Sequence, residues 1–405
     1  MQEKELGEKI IQNAIVVDYG GLQQVIYDEN KNAVFGNVPN GKATFKGKAQ
    51  FIDEKVVLLG FLNAHHGHLI TDELGKFWWI LKNGTKKHKF IYFCIKNGKS
   101  ISAFETLLFE IFGLNDENSI HITKPMQFSE IIIPDNSFHS ENGIELERKT
   151  IDFITSKITP IKNDALYLSR RKFSKSTALE FGEEYFEEIY AKKGYKIIYP
   201  EILSPKEQLA LWGGGNRFAC VGGTLPHNMI FAPYGSELEI ILKTSQYKDD
   251  NPCTFNQYQA IVNKIKNLQV KRIHAYIEDL PGICWGRGPF LMLPNDSLLD
   301  LDLLNKIKKD VMGYLMEYKK ALMKNKLEKK PNLNELKQGF CAFKDKIKRV
   351  DFGLYESLQS EFEKFDKWVE FYFSHPKLAF LFYRIKKLPY QLLKDIKRPF
   401  QRLFK

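Results

Sequence analysis

Titratable side chains are densest in Asn63-Ala64-His65-His66-Gly67-His68, followed by Asp72 and Glu73. A histidine exchanges protons near neutral pH, and a neighbouring carboxylate orients it and raises its basicity. His68 with Asp72 is therefore a candidate acid–base pair. Three histidines and two acids are also a conceivable metal set, but neither HExxH nor another recognised ligand spacing is present. Histidines that serve only packing or an interface are the third reading.

A second group of residues suits anions. Tyr167-Leu168-Ser169-Arg170-Arg171 stands at the end of an expected strand, and two permanently charged guanidiniums in such a loop can clamp a diphosphate bidentately. The same pair fits a solvated basic loop or a structural salt bridge. Val221-Gly222-Gly223-Thr224-Leu225-Pro226-His227-Asn228 runs from a strand through paired glycines into an expected helix start. Glycines admit a ligand close to the backbone, and free N–H groups at a helix N-terminus favour an anion. The segment lacks the GK[ST] ending of a P-loop and the GxGxxG fingerprint, so a plain tight turn is the competing reading. In Pro200 to Gln208, Ser204 and Glu207 have the spacing of a capping box, the ordinary role for both, although Glu207 also stands where a sugar or ribose hydroxyl would approach. Gly213-Gly214-Gly215 reads as the end of the preceding helix.

These residues need elements to hold them. Lys55 to Leu59, Lys89 to Ile95 and Phe128 to Ile133 have strand composition, whereas Ser100 to Phe112 and Glu145 to Lys157 have helical periodicity. From Asp164 the alternation is regular: strand Ala165 to Leu168, helix Thr177 to Lys193, strand Tyr195 to Tyr199, helix Ser204 to Trp212, then strands Arg217 to Val221, Glu237 to Leu242 and Arg272 to Ile277. Such alternation predicts an α/β fold with a parallel sheet, whose ligands bind beyond the carboxyl ends of the strands. The loops after Leu168, Tyr199 and Val221 form that edge. Long charged helices begin near Ser297, Lys324 to Lys337 resembles an exposed connector, and a further helix spans Tyr355 to Phe373. The expected division is 1–155, 156–296 and a helical extension 297–405.

The chain has 405 residues, 43% of them hydrophobic, enough for two cores rather than long disorder. Cys94, Cys220, Cys253, Cys284 and Cys341 have no CxxC spacing, which favours a reducing compartment. With neither a secretory signal nor a transmembrane run, a cytoplasmic protein is expected. The net charge is +11, and much of it lies in His375 to Lys405, where nine basic residues face a single acid, Asp395. Aromatic and basic residues interleave there, as in an interfacial helix on anionic lipid; a helix docked on the protein with a solvated basic face is the alternative. Nucleic acid is a less favoured partner, because no recognisable nucleic-acid module accompanies the basicity.

Over residues 60 to 245 the chain resembles the family 61 glycosyltransferases, which include capsular-polysaccharide enzymes. The resemblance rests on His68, Asp72 and Trp78, then Ser169-Arg170, then Pro200 to Gln208, then the glycine turn leading to Asn228, Phe231 and Pro233, all in order. Two departures are visible: Lys172 to Phe181 lacks an Asn-Glu pair, and Gly222 stands where a histidine is common. The resemblance implies two Rossmann-like lobes of the GT-B type. It also implies inverting, metal-independent transfer from a nucleotide-sugar to a glycan or lipid-linked glycan in surface-polysaccharide synthesis, on the inner face of the membrane. His68 with Asp72 falls on the base side, and Arg170, with Arg171 second, on the donor side. Gly222, Gly223, Thr224, His227, Asn228 and Glu207 are the other donor-side candidates. A catalytically silent relative that only binds such machinery is the alternative.

Overall fold

The computed structural model describes residues 6–20, 23–62, 66–94, 101–173, 179–277, 280–284, 287–294 and 301–385. Asn63 to His65 of the histidine cluster and the basic tail beyond Ile385 lie outside the described residues. Two compact units interleave along the chain: Met1–Leu168, Gly194–Ile240 and Pro252–Arg272 form one, and Ser169–Lys193, Ile241–Asn251 and Ile273–Lys405 the other.

In the first unit, seven strands form one sheet: β1 (Glu8–Asp18), β2 (Gln24–Tyr27), β3 (Ala33–Gly36), β4 (Gln50–Leu62), β5 (Lys89–Cys94), β6 (Ser119–His121) and β7 (Met126–Pro134). Their order is β3-β2-β1-β7-β4-β5-β6. β7, β4, β5 and β6 run parallel, while β1, β2 and β3 continue the sheet antiparallel from β7. Val56, Val57, Leu58 and Leu59 of β4 are all buried, the continuous apolar run of a strand covered on both faces. The chain steps from β4 outward to β5 and β6, then returns to the other side of β4 for β7. That reversal between β4 and β7 is a topological switch point, and ligands of open α/β sheets bind beyond the carboxyl ends of the strands at such a point.

Seven further strands follow: β8 (Ala165–Leu168), β9 (Glu180–Phe181), β10 (Lys196–Ile198), β11 (Arg217–Val221), β12 (Glu237–Leu242), β13 (Gln269–His274) and β14 (Phe290–Leu291). The second sheet has the order β10-β8-β11-β12-β13, with β10 and β11 parallel to β8. Ser204 caps the helix Pro205–Gly214, and its reciprocal bond with Glu207 is the expected capping box. The helix Ala103–Phe112 ends at Gly113 in the left-handed region. The fold is α/β with parallel sheets, as the alternation predicts.

In the second unit, β9 and β14 pair in parallel. This pair shortens the helix expected from Thr177: it begins only at Glu183. Phe181 O accepts from Met292 N, and a Cβ on Gly182, at φ +96°, would lie 1.9 Å from Met292 O. A residue so placed cannot belong to a helix. The core of this unit is helical. Ile307, Val311, Tyr314 and Tyr318 of Leu301–Met323 join Leu336, Phe340, Phe343 and Ile347 of Leu333–Val350, and Leu358, Phe362, Phe365 and Val369 of Phe352–Ser374. Steps of three and four residues bring each set onto one helix face. Asn332 caps Leu333–Val350 with Glu335, so the expected connector is shorter than Lys324 to Lys337. Ala379 of the helix Pro376–Ile385 is buried in the same core. Among the described residues, no helix is long and apolar enough to cross a membrane.

Candidate functional site

The chain leaving β4 does not form a regular helix. His66–His68 is a single α-turn, Leu69–Glu73 is a π-helical turn, Leu74–Lys76 is a 3-10 turn, and Trp78–Asn83 is α-helical again. Leu69, Ile70 and Leu74 are buried and anchor the segment, while the widened turn carries Asp72. π-turns of this kind recur at functional sites.

The loop after β7 is bonded to this segment at three places. Trp78 Nε1 donates to Asp135 O at 2.9 Å, Asn136 Nδ2 donates to Asp72 O, and Ser137 N donates to Gly75 O at 2.8 Å. Asn136 Oδ1 also accepts from Phe138 N at 2.9 Å and His139 N at 3.3 Å. One amide side chain thus fixes both Asp72 and the backbone of His139. A Cβ on Gly75 would lie 2.2 Å from Asn136 Oδ1, so Asn136 would have to move. Gly75→Ala is therefore expected to destabilise the protein by about 1–3 kcal/mol through overpacking, read as a lowered thermal midpoint; an unchanged midpoint would show that the loop yields freely.

The two segments converge on Asp72. His68 Nδ1 donates to Asp72 Oδ2 at 2.8 Å, and His139 Nε2 donates to Asp72 Oδ1 at 2.9 Å. Thr71 Oγ1 adds a bond to Oδ2 at 3.1 Å. Burial opposes ionisation of Asp72, but the bonds from His139 and His68, with that from Thr71, outweigh it and hold the carboxyl well below the usual carboxylate range. An ionised Asp72 accepts hydrogen bonds only. Neutral His68 must then carry its proton on Nδ1 and its lone pair on Nε2, and neutral His139 the reverse. The bond to Asp72 also raises the pKa of His68 against the effect of burial, and its side chain is 61% exposed. The result is an oriented, basic imidazole on the segment that follows the carboxyl end of β4.

Other residues of the same unit surround this group. Tyr258 lies with its ring 5.4 Å from that of His139 and 6.4 Å from that of His227. His227 Nδ1 donates to Gln259 Oε1 at 2.9 Å, and burial lowers its pKa to about 4. His66 Nε2 donates to Asn228 Oδ1 at 2.8 Å, and burial lowers its pKa too. His66 thus joins the segment after β4 to the segment after β11, and His227 ties the latter to the helix Thr254–Lys266. His66 rather than His68 therefore meets Asn228.

The other expected residues are placed as follows. Gly223 adopts φ +143°, and Thr224 precedes Leu225–Phe231, which is a 3-10 segment with Pro226 in its first turn. His227 N is bonded to Thr224 O. The expected α-helix start is replaced there by this 3-10 segment. Glu207 accepts from Ser204 N at 2.8 Å and Ser204 Oγ at 2.6 Å, a capping role. Arg170 and Arg171 belong to the second unit. Arg171 Nη1 pairs with Glu187 at 2.8 Å and its Nη2 with Glu184 at 2.7 Å, so a diphosphate would have to displace two carboxylates. Arg170 Nη2 is 3.5 Å from Glu180 Oε1, which also pairs with buried Lys243 Nζ at 2.6 Å. Glu183 accepts from Arg170 N at 3.0 Å, and burial pushes its carboxyl up to about 8. No group of three or more His, Cys, Asp or Glu side chains among the described residues is arranged to hold a metal ion.

His139, Asn136 and Tyr258 were not singled out by the sequence reading. A lone histidine 67 residues beyond Asp72 carries no spacing signal; only its place just after a parallel strand could have marked it. The chain matches no protein-family model, and no curated protein matches it.

Proposed function

We propose that the chain is an inverting glycosyltransferase that moves a sugar from a nucleotide-sugar to a glycan acceptor. The observation that carries this reading is the single carboxylate, Asp72, bridging two histidines that follow the parallel strands β4 and β7 at the switch point of the sheet. In the proposed reaction His68 Nε2 removes the proton of an acceptor hydroxyl as its oxygen attacks the anomeric carbon. The bond from that carbon to the diphosphate breaks on the opposite face, and Asp72 stabilises the imidazolium that forms. Transfer needs no redox partner, and the nucleotide leaves as its diphosphate. The ordered resemblance to family 61 supports the same reading, and the proposal includes the two-lobed GT-B architecture that the resemblance implies. The proposal keeps Arg170 on the donor side and gives up Arg171, whose guanidinium is engaged at both ends.

A panel of sugar nucleotides with simple glycoside acceptors tests this, with release of nucleoside diphosphate as the readout. His68→Ala is expected to lower kcat more than it raises KM for the donor, and Arg170→Ala to do the reverse. Wild-type turnover in both variants would defeat the assignment. The proposal also places the protein at an anionic membrane surface through its basic C-terminal tail. Truncation after Ile385, which keeps the docked helix, is expected to abolish co-sedimentation with phosphatidylserine-containing vesicles while donor turnover persists; undiminished co-sedimentation would remove the tail from that role.

A further inference from the structure

A second cavity in the first unit, of about 250 Å³, is lined by parts of four elements. Arg148, Asp152 and Thr155 come from one face of the helix Ile144–Ser156, Gly213 from the end of Pro205–Gly214, Lys266 from the end of Thr254–Lys266, and Phe231 to Tyr234 close the remaining side. Its polar groups are unusual in their burial. The Lys266 side chain is only 5% exposed, and its Nζ pairs at 2.8 Å with Asp152, which is 58% exposed. A buried ammonium is thus satisfied by a carboxylate that water already solvates. Arg148 donates from Nε to Ile265 O at 3.0 Å and from Nη1 to Glu145, and its guanidinium lies 5.6 Å from the centre of the Tyr234 ring. Tyr234 is 63% exposed, a large aromatic surface left at the mouth of a charged cavity.

We propose that this cavity binds a ring-sized monocarboxylate, of the uronate class, which replaces Asp152 on Lys266. The arithmetic of charge selects a monoanion. Glu145 already balances Arg148, so exchanging Asp152 for the ligand leaves room for one negative charge. The carbonyls at the end of Thr254–Lys266 form the negative pole of that helix and disfavour a second. A carboxylate also suits the remaining guanidinium donors of Arg148. The volume falls below the range of about 300–1,000 Å³ for larger ligands, which suits one pyranose and excludes a nucleotide-sugar. The exposed ring of Tyr234 supplies the apolar surface that a sugar ring covers.

This inference does not rest on the transferase reading, and donor turnover is measured separately. The test is calorimetric titration of the full chain with glucuronate, with glucose as the neutral probe and glucose 6-phosphate as the dianionic one. Saturable binding of glucuronate and no binding of glucose are expected. Lys266→Met keeps the volume and strands no buried charge, because Asp152 is solvated; it is expected to weaken binding at least about tenfold. Asp152→Asn removes the internal competitor and is expected to tighten binding several-fold. Tyr234→Ala, at an exposed position, provides a second variant that keeps the fold and is expected to weaken binding. Lys271→Met, at an exposed lysine of the same unit, should leave it unchanged. The proposal is overturned by absence of saturable glucuronate binding, by wild-type affinity in Lys266→Met, by weaker binding in Asp152→Asn, or by tighter binding of the phosphate than of the carboxylate.

Discussion

Asp72→Asn is expected to lower turnover by about 10²–10⁴-fold while the protein stays folded. The carboxylate accepts from both His68 and His139, whereas an amide has one oxygen to accept and one nitrogen that donates. At least one histidine must then switch tautomer or break its bond, and His68 loses the charge that raises its basicity. Asn keeps the shape of Asp, so the segment from His66 to Asn83 retains its packing. The accompanying measurements are the thermal midpoint, expected to fall because the bonds that hold the Asp72 carboxyl below its usual range also stabilise the folded state, and the double variant with His68→Ala, expected to be no slower than the worse single one because the pair acts as a unit. A larger loss from His139→Ala than from His68→Ala would move the base to His139 and leave Asp72 as the orienting carboxylate. Wild-type turnover in Asp72→Asn would remove the cluster from the chemistry.

The second large effect concerns Glu147, which is buried beneath the loop after β7. Burial pushes its carboxyl up from 4.5 to about 7, and it is bonded to Ser137 Oγ, which is also bonded to Gly75 O. A protonated Glu147 satisfies this chain in one direction: it donates to Ser137, and Ser137 donates to the carbonyl. Because the folded pKa lies above the unfolded value, the folded state holds the extra proton between them. The stabilising contribution is fully present below about pH 4.5 and is lost as pH rises through about 7, a total of about 3 kcal/mol. Glu147→Gln mimics the neutral acid at every pH. The difference in unfolding free energy between wild type and variant is therefore expected to shift in favour of the variant from pH 5 to pH 7.5 and to level off above. A difference that does not vary with pH would show that Glu147 titrates normally. His66 and His227 titrate in the opposite sense, since burial lowers both, which is why the difference between the two proteins, rather than either curve alone, isolates Glu147.

How legible this was in the sequence varies by element. Arg217–Val221 and Glu237–Leu242 were readable to the residue, because a compact apolar run bounded by polar or glycine residues has few other outcomes. β1 was not. Asn13 within it adopts φ 51°, which interrupts the alternation that marks a strand. The capping box at Ser204 was legible because its partners are three residues apart. Of the candidate site, the His68–Asp72 half was legible for the same reason of proximity. The His139 half depends on which strand β7 lies beside, a fact of topology rather than spacing. The glycine turn misled in one respect: a strand followed by glycines predicts a helix start, but the segment Leu225–Phe231 is a 3-10 turn.

The most direct test of the central claim is thermal unfolding of the full chain with nucleoside diphosphates and their sugar derivatives, since a ligand that binds only the folded state must raise its midpoint. The proposed function predicts a selective, saturable rise with one nucleotide family, about 2.7 kcal/mol of added stability at a hundredfold excess over Kd. No rise with any of them, together with a rise on adding RNA or an acidic glycan, would contradict it.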